Sequence, residues 1–222
     1  MIEICQSQEI VDIIDIGIAE YRKVYDLQKE LVRKRWSGII EDTLVVTEHL
    51  PVFTIGRTGS KDNLLINPGD LAESGIDLIE TDRGGDITFH GPGQLVLYPI
   101  LDLSGFERDI RAYIKKLEEV IIDFLSRYNI AGLSVKGARG VWIDKNTKIG
   151  SIGVGITKWI SYHGLSVNVN TTLGYFNMIR PCGLKDCMAT SISSVLKKEI
   201  EMTEAKRYLV ESFKKIFKRW RK

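Results

Sequence analysis

Between residues 106 and 128 the apolar positions Ile110, Ile114, Leu117, Ile121, Phe124 and Tyr128 recur at helical spacing, with charged residues on the opposite side. Such a stretch is a helix, and its apolar face must be covered. The chain on either side supplies the cover, because short β-branched runs at residues 43–47 (TLVVT), 52–56 (VFTIG) and 76–81 read as strands. Helices interleaved with groups of short strands imply an α+β domain with a mixed, mainly antiparallel sheet. A length of 222 residues suits one core, and a single domain over residues 1–222 is expected.

Other elements follow from local signals. Residues 17–36 carry Val24, Leu27 and Leu31 at helical spacing, and Gly38 stands where that helix stops. Asn67-Pro68 opens a short helix, with a capping side chain followed by proline in the first turn. Residues 86–103 hold two strands around the Gly91-Pro92-Gly93 break. Residues 141–144 and 148–156 flank Lys145-Asn146-Thr147 and form a hairpin, and a further strand covers 162–170. Thr203 caps a last helix with Leu209, Phe213, Ile216 and Trp220 on its apolar side.

Composition removes several function classes. Hydrophobic residues make up 44% and charged residues 27% of the chain, which is the make-up of a folded soluble protein, and no apolar run approaches the ~20 residues of a membrane span. Met1 is followed by Glu3 rather than by a basic segment and a long apolar run, so a cytoplasmic location is expected. Three cysteines without a CxxC pair argue for reduced thiols. With a net charge of only +2 and no interleaving of aromatic and basic residues, a nucleic-acid partner is not expected. His49, His90 and His163 lack the pairings of a zinc centre, and neither a metal nor another cofactor is expected; His90 and His163 are read as orienting or pocket-lining groups. Lys214, Lys215, Lys218, Arg219, Arg221 and Lys222 crowd the C-terminus, either as a solvated helix end or as a docking patch for an acidic carrier protein.

The least ordinary stretch is Arg83-Gly84-Gly85-Asp86-Ile87-Thr88-Phe89-His90-Gly91-Pro92-Gly93-Gln94, with four glycines and a proline in twelve residues. Glycines let the backbone approach a ligand closely, yet neither a Walker A loop nor a GxGxxG turn is present. A loop whose Arg and His merely satisfy backbone carbonyls remains an alternative.

This stretch, ending in Leu97-Tyr98-Pro99, resembles the signature of the lipoyl(octanoyl) transferase family. Three more segments resemble the same family in the same order: residues 48–57 (EHLPVFTIGR), Lys148-Ile149-Gly150-Ser151-Ile152-Gly153 with His163-Gly164-Leu165-Ser166, and Pro181-Cys182-Gly183. The resemblance implies the fold of biotin and lipoate protein ligases. It also implies an enzyme that moves an octanoyl group from octanoyl-acyl carrier protein to a lysine of lipoyl domains, those of 2-oxoacid dehydrogenase E2 subunits and of the glycine cleavage H protein.

The same resemblance assigns Cys182 as nucleophile and Lys148 as the base beside it. It places the substrate pocket at Arg83, Gly84, Gly85, Asp86, Ile87, Thr88, Phe89 and His90, at Ser151, Ile152 and Gly153, and at Gly164, Leu165 and Ser166. An ordinary thiol is only a few per cent thiolate at neutral pH, so a nucleophilic cysteine needs a cation nearby. Taken alone, Cys182 reads first as a small buried hydrophobe and Lys148 as a surface lysine of the hairpin. Cys187 is the weaker nucleophile candidate, and Cys5 lies outside every motif. Three rivals stand beside acyl transfer: an ATP-dependent lipoate or biotin ligase, a non-catalytic acyl-binding or carrier-docking module, and a cysteine hydrolase, whose usual Cys–His pairing no motif here indicates.

Overall fold

The computed structural model describes residues 11–106, 108–180 and 187–220. Cys5 and Cys182 therefore lie outside the described residues. In chain order the elements are β1 (Asp12–Ala19), α1 (Tyr21–Trp36), β2 (Thr43–His49), β3 (Val52–Ile55), α2 (Pro68–Glu73), β4 (Asp77–Glu80), β5 (Ile87–His90) and β6 (Gln94–Ile100). They continue with α3 (Ile110–Ser126), β7 (Leu133–Val135), β8 (Ala138–Trp142), β9 (Thr147–Thr157), β10 (Ile160–Asn168), β11 (Met188–Ala189), α4 (Ile192–Leu196) and α5 (Met202–Trp220).

Two sheets result. The larger has eight strands in the order β1-β2-β6-β10-β9-β8-β7, with β11 added beside β9, and the smaller runs β4-β3-β5. Pairing is antiparallel except at β1–β2, β9–β11 and β3–β4. The fold is thus α+β with a mainly antiparallel sheet, as the spacing of apolar residues implies.

The long central helix behaves as its periodicity requires. Asp109 caps α3 by accepting from the Arg111 N–H, and Tyr113, Leu117, Val120, Ile121, Phe124 and Leu125 are all fully buried. They meet the large sheet through Leu95, Leu97, Val141, Ile149 and Val167, and α5 through Leu209, Phe213 and Phe217. The other face of the large sheet carries α1, through Val24, Leu31 and Val32 against Val45, Val96 and Tyr98. The small sheet has its own core around Phe53, Ile55, Ile87 and Phe89.

Two local expectations are corrected. Residues 17–19, read as the start of the first helix, belong to β1, an edge strand rich in isoleucine that pairs with β2; Gly17, at φ 70°, sits at a bulge there. The corner at residues 50–51 joins β2 of the large sheet to β3 of the small one. The Gly91-Pro92-Gly93 break also joins the two sheets, since β5 pairs with β3 and β6 with β2 and β10. The Gly93 N–H donates to the Glu48 carboxylate at 2.7 Å, so the two corners are tied together. Finally, α5 is capped by Glu201, whose carboxylate accepts from the N–H groups of Thr203 and Glu204, rather than by Thr203.

Candidate active site

A cleft of about 570 Å³ opens between the small sheet and the β6–β10–β9 surface of the large one. Its wall is the loop that leads into β5, and glycines set how closely that loop approaches. A Cβ on Gly56 would lie 2.3 Å from the Gly85 carbonyl oxygen, and one on Gly153 would lie 2.7 Å from that of Gly84. Backbone bonds fasten the same contacts: Arg57 N–H to Arg83 O at 2.9 Å, and Gly84 N–H to Val154 O at 2.9 Å. Segments that are far apart in the chain are thereby one wall.

Arg83 holds this wall from inside. It is buried, and its guanidinium donates to the Thr54 carbonyl and hydroxyl oxygens and to the Gly84 carbonyl. Gly164 completes the floor opposite Gly153, where a Cβ would strike the Leu97 carbonyl at 2.3 Å. Arg83, Gly84, Gly85, Asp86, Ile87, Thr88, His90, Ser151, Ile152, Gly153, Gly164, Leu165 and Ser166 all line the cleft. Phe89 does not. Its ring stacks on Tyr175 and meets Phe53 and Phe176 in the core of the small sheet, because strand alternation turns it away from the face that Thr88 and His90 share.

All three histidines are buried near the cleft. His49 accepts from the Tyr98 hydroxyl at 2.7 Å and donates from Nδ1 to the Ala19 carbonyl at 3.1 Å, and burial pushes its pKa down to about 4. Burial also holds His90 well below the ordinary range, with the neighbouring His49 acting in the same direction. His90 starts a buried chain: its Nδ1 meets Gln94 Oε1 at 2.6 Å, Gln94 Nε2 donates to Asn168 Oδ1 at 2.9 Å, and Asn168 Nδ2 donates to Thr190 O at 2.9 Å.

His163 takes an unusual backbone conformation, φ 52°, stacks on Tyr25 and donates from Nε2 to Asp82 at 2.9 Å. Asp82 also accepts from Tyr25, Tyr162 and Lys29. Burial opposes its charge, but these donors, His163 first, hold the carboxyl far below its ordinary range. Asp82 therefore stays ionised and acceptor-only. Among the described residues no cluster of His, Cys, Asp and Glu has the make-up of a metal site.

Lys148 lies on β9 at the cleft and is 8% exposed. Its ammonium sits 5.1 Å from the centre of the Trp142 ring, its cross-strand partner on β8. Gly140 makes room for it: at φ 107°, a Cβ there would lie 2.6 Å from Lys148 Cε. The segment after residue 186 closes on the same lysine. Ala189 pairs with Lys148, the Thr190 N–H donates to Lys148 O at 2.9 Å, and Cys187, Met188 and Ala189 line the cleft. Before residue 181, the Arg180 N–H donates to Asn63 O at 2.8 Å, and Asn63 is bonded to the cleft-lining Asp86. Residues 181–186, Cys182 among them, lie outside the described residues.

Tyr21, Tyr98, Arg139, Asn168 and Phe176 also line the cleft, although sequence reasoning did not select them. Only Tyr98 stood in a quoted motif. The others reach the site through tertiary contacts that leave no local pattern.

The architecture is that of the lipoate and biotin protein ligases. The chain superposes on lipoate-protein ligase A bound with ATP with a TM-score of 0.76 at 12% identity, over 94% of this chain and 85% of that one. A bipartite lipoate protein ligase from Thermoplasma acidophilum, solved in a study with its E2 lipoyl domain, gives 0.72 at 12% identity over 95% and 85%. Biotin protein ligase from Aquifex aeolicus gives 0.55 at 14% identity over 96% and 71%. At the level of sequence, residues 20–214 match the lipoyl protein ligase A/B catalytic domain. An octanoyltransferase from Syntrophobacter fumaroxidans is 38% identical over 207 residues, covering 93% of this chain and 90% of that protein. The chain belongs to the lipoyl protein ligase A/B catalytic-domain family.

Proposed function

We propose that the chain, an octanoyltransferase of protein lipoylation, passes the octanoyl group from acyl carrier protein through a thioester on Cys182 to a lysine of a lipoyl domain. Lipoyl domains of 2-oxoacid dehydrogenase E2 subunits and the glycine cleavage H protein are the acceptors in this scheme. The observation that carries it is Lys148: a buried ammonium at the cleft, with the chain that follows Cys182 paired onto it at Ala189. Cys182 precedes Ala189 by seven residues in the sequence.

In the first step Lys148 takes the proton of Cys182 and stabilises the thiolate, which attacks the donor carbonyl; the carrier's carbon–sulfur bond breaks, the carrier thiol leaves with the proton returned by Lys148, and octanoyl-Cys182 forms. In the second the lipoyl-domain lysine, as free amine, attacks that thioester. An amide forms, and the amine's proton passes to Lys148 or back to the sulfur. Backbone N–H groups at Cys182-Gly183 are the proposed donors to the oxyanion of each tetrahedral intermediate. The cleft's volume lies within the ~300–1,000 Å³ of ligand sites, and each buried methylene contributes about 0.8 kcal/mol to holding the acyl chain. A thioester is already activated, so the scheme uses no ATP.

Intact mass after incubation with octanoyl carrier protein, followed by peptide mapping, tests the scheme. An octanoyl adduct on Cys182, lost in Cys182→Ser together with transfer, is the expected result. Full turnover by Cys182→Ser, or turnover that requires ATP, rejects it in favour of ligase chemistry.

A further inference from the structure

The cleft carries more positive charge than a fatty acyl chain has use for. Among the described residues its charged lining is Arg57, Arg83, Arg139 and Lys148 against one carboxylate, Asp86. Arg83 is engaged by Thr54 and Gly84, and Lys148 is assigned to the sulfur. Arg57 and Arg139 have no comparable employment. Both are exposed, and neither forms an ion pair among the described residues. Asp86 does not neutralise them, since its carboxylate accepts from the Asn63 side chain and the Ile87 N–H.

The two arginines flank one loop. The Arg57 N–H donates to Arg83 O at 2.9 Å, and Arg139 Nη1 lies 3.4 Å from the position of a Cβ on Gly84. They therefore stand at the rim while the glycine-lined interior takes the neutral acyl chain. What remains at the rim when a thioester enters is the arm that bears it. In acyl carrier proteins that arm is pantetheine joined to the protein by a phosphodiester, and a planar guanidinium matches phosphate oxygens in charge and geometry.

We propose that Arg57 and Arg139 form a phosphate-binding subsite at the cleft rim that holds the phosphopantetheine arm of the acyl donor. The proposal rests on the donor being a carrier-borne thioester. It leaves the acyl chain to the interior and gives the rim the task of choosing a phosphorylated donor.

The test compares octanoyl-pantetheine, which has no phosphate, with octanoyl-4′-phosphopantetheine, using the full chain and a lipoyl domain as acceptor. At low salt the phosphorylated donor is expected to have about tenfold higher kcat/KM, the effect of one charge-assisted hydrogen bond. The ratio should fall towards one in 0.5 M NaCl. It should also fall towards one in the Arg57→Gln/Arg139→Gln double variant. A wild-type ratio near one overturns the proposal without recourse to any variant. So does a ratio that survives the double substitution. If instead the double variant raises only the KM for the lipoyl domain, the arginines meet acceptor carboxylates and the phosphate subsite is rejected. Octanoyl-Cys182 formation from the phosphate-free donor, followed by mass, reports separately on the covalent scheme.

Discussion

Replacing Gly140 by alanine tests whether the space beside Lys148 is a requirement of the site. The new Cβ would lie 2.4 Å from Gly150 O, 2.6 Å from Lys148 Cε and 3.3 Å from Nζ, all inside van der Waals contact. The residue's φ of 107° adds backbone strain for any L side chain, about 1–3 kcal/mol, and overpacking adds about 1–3 kcal/mol more. Gly150 O belongs to the backbone of β9, so the mobile partner is the lysine side chain. A displacement of its ammonium by about 1 Å costs on the order of 100-fold in rate. Two measurements on folded Gly140→Ala read this out: single-turnover octanoyl transfer, and the pH dependence of iodoacetamide alkylation of Cys182. Transfer should fall by about two orders of magnitude and the alkylation midpoint should rise towards that of a free thiol. Trp142→Leu, which removes the ring beside the ammonium and leaves the glycine, should shift the midpoint the same way. A folded Gly140→Ala with wild-type transfer and an unmoved midpoint would refute the reasoning.

Three further outcomes follow from the same structure. His49 is neutral when folded, with its pKa pushed down to about 4 by burial, so unfolded chains take up a proton first as the pH falls. Its contribution is complete above the ordinary histidine value of 6.5 and is lost between there and about 4. The loss amounts to roughly 3 kcal/mol in urea unfolding, and this slope should shrink in His49→Gln. Asp82 has the opposite reason for the same sense of change: its folded pKa lies far below the ordinary 3.8, so its stabilising effect is full above 3.8 and disappears at lower pH. Asp82→Asn should flatten the acid limb of the Tm profile below that value, and an unchanged limb would show that its four donors contribute nothing. Leu117→Ala, at a fully buried position of α3, should cost about 2–5 kcal/mol in chemical denaturation, whereas a cost under 1 kcal/mol would mean that the helix does not anchor the sheet.

The basic C-terminal helix illustrates how structure narrows an open reading. Lys215 is bonded to Asp123 of α3. One of the six C-terminal cations that looked available for docking is thus engaged in holding the helix to its own fold. The rim arginines were legible only as residue types. Arg57 stood at the end of a quoted motif and Arg139 in none, and nothing in their neighbours indicated that they flank the same loop.

Taken alone, the amino-acid sequence determined the elements whose signal is local: the apolar stripe of α3, the β8–β9 hairpin, the cap before α2, and the glycine-rich wall near residue 84. These depend on periodicity and on backbone freedom, both properties of adjacent residues. Tertiary structure alone decided which sheet each strand joins, so that Gly91-Pro92-Gly93 became a corner between sheets. It also decided that Phe89 faces a core rather than the cleft, and that Gly140 stands beside Lys148. Each of these outcomes is a contact between elements that converge only when the two sheets close over the cleft, and a short stretch of sequence carries no record of the partner it will meet.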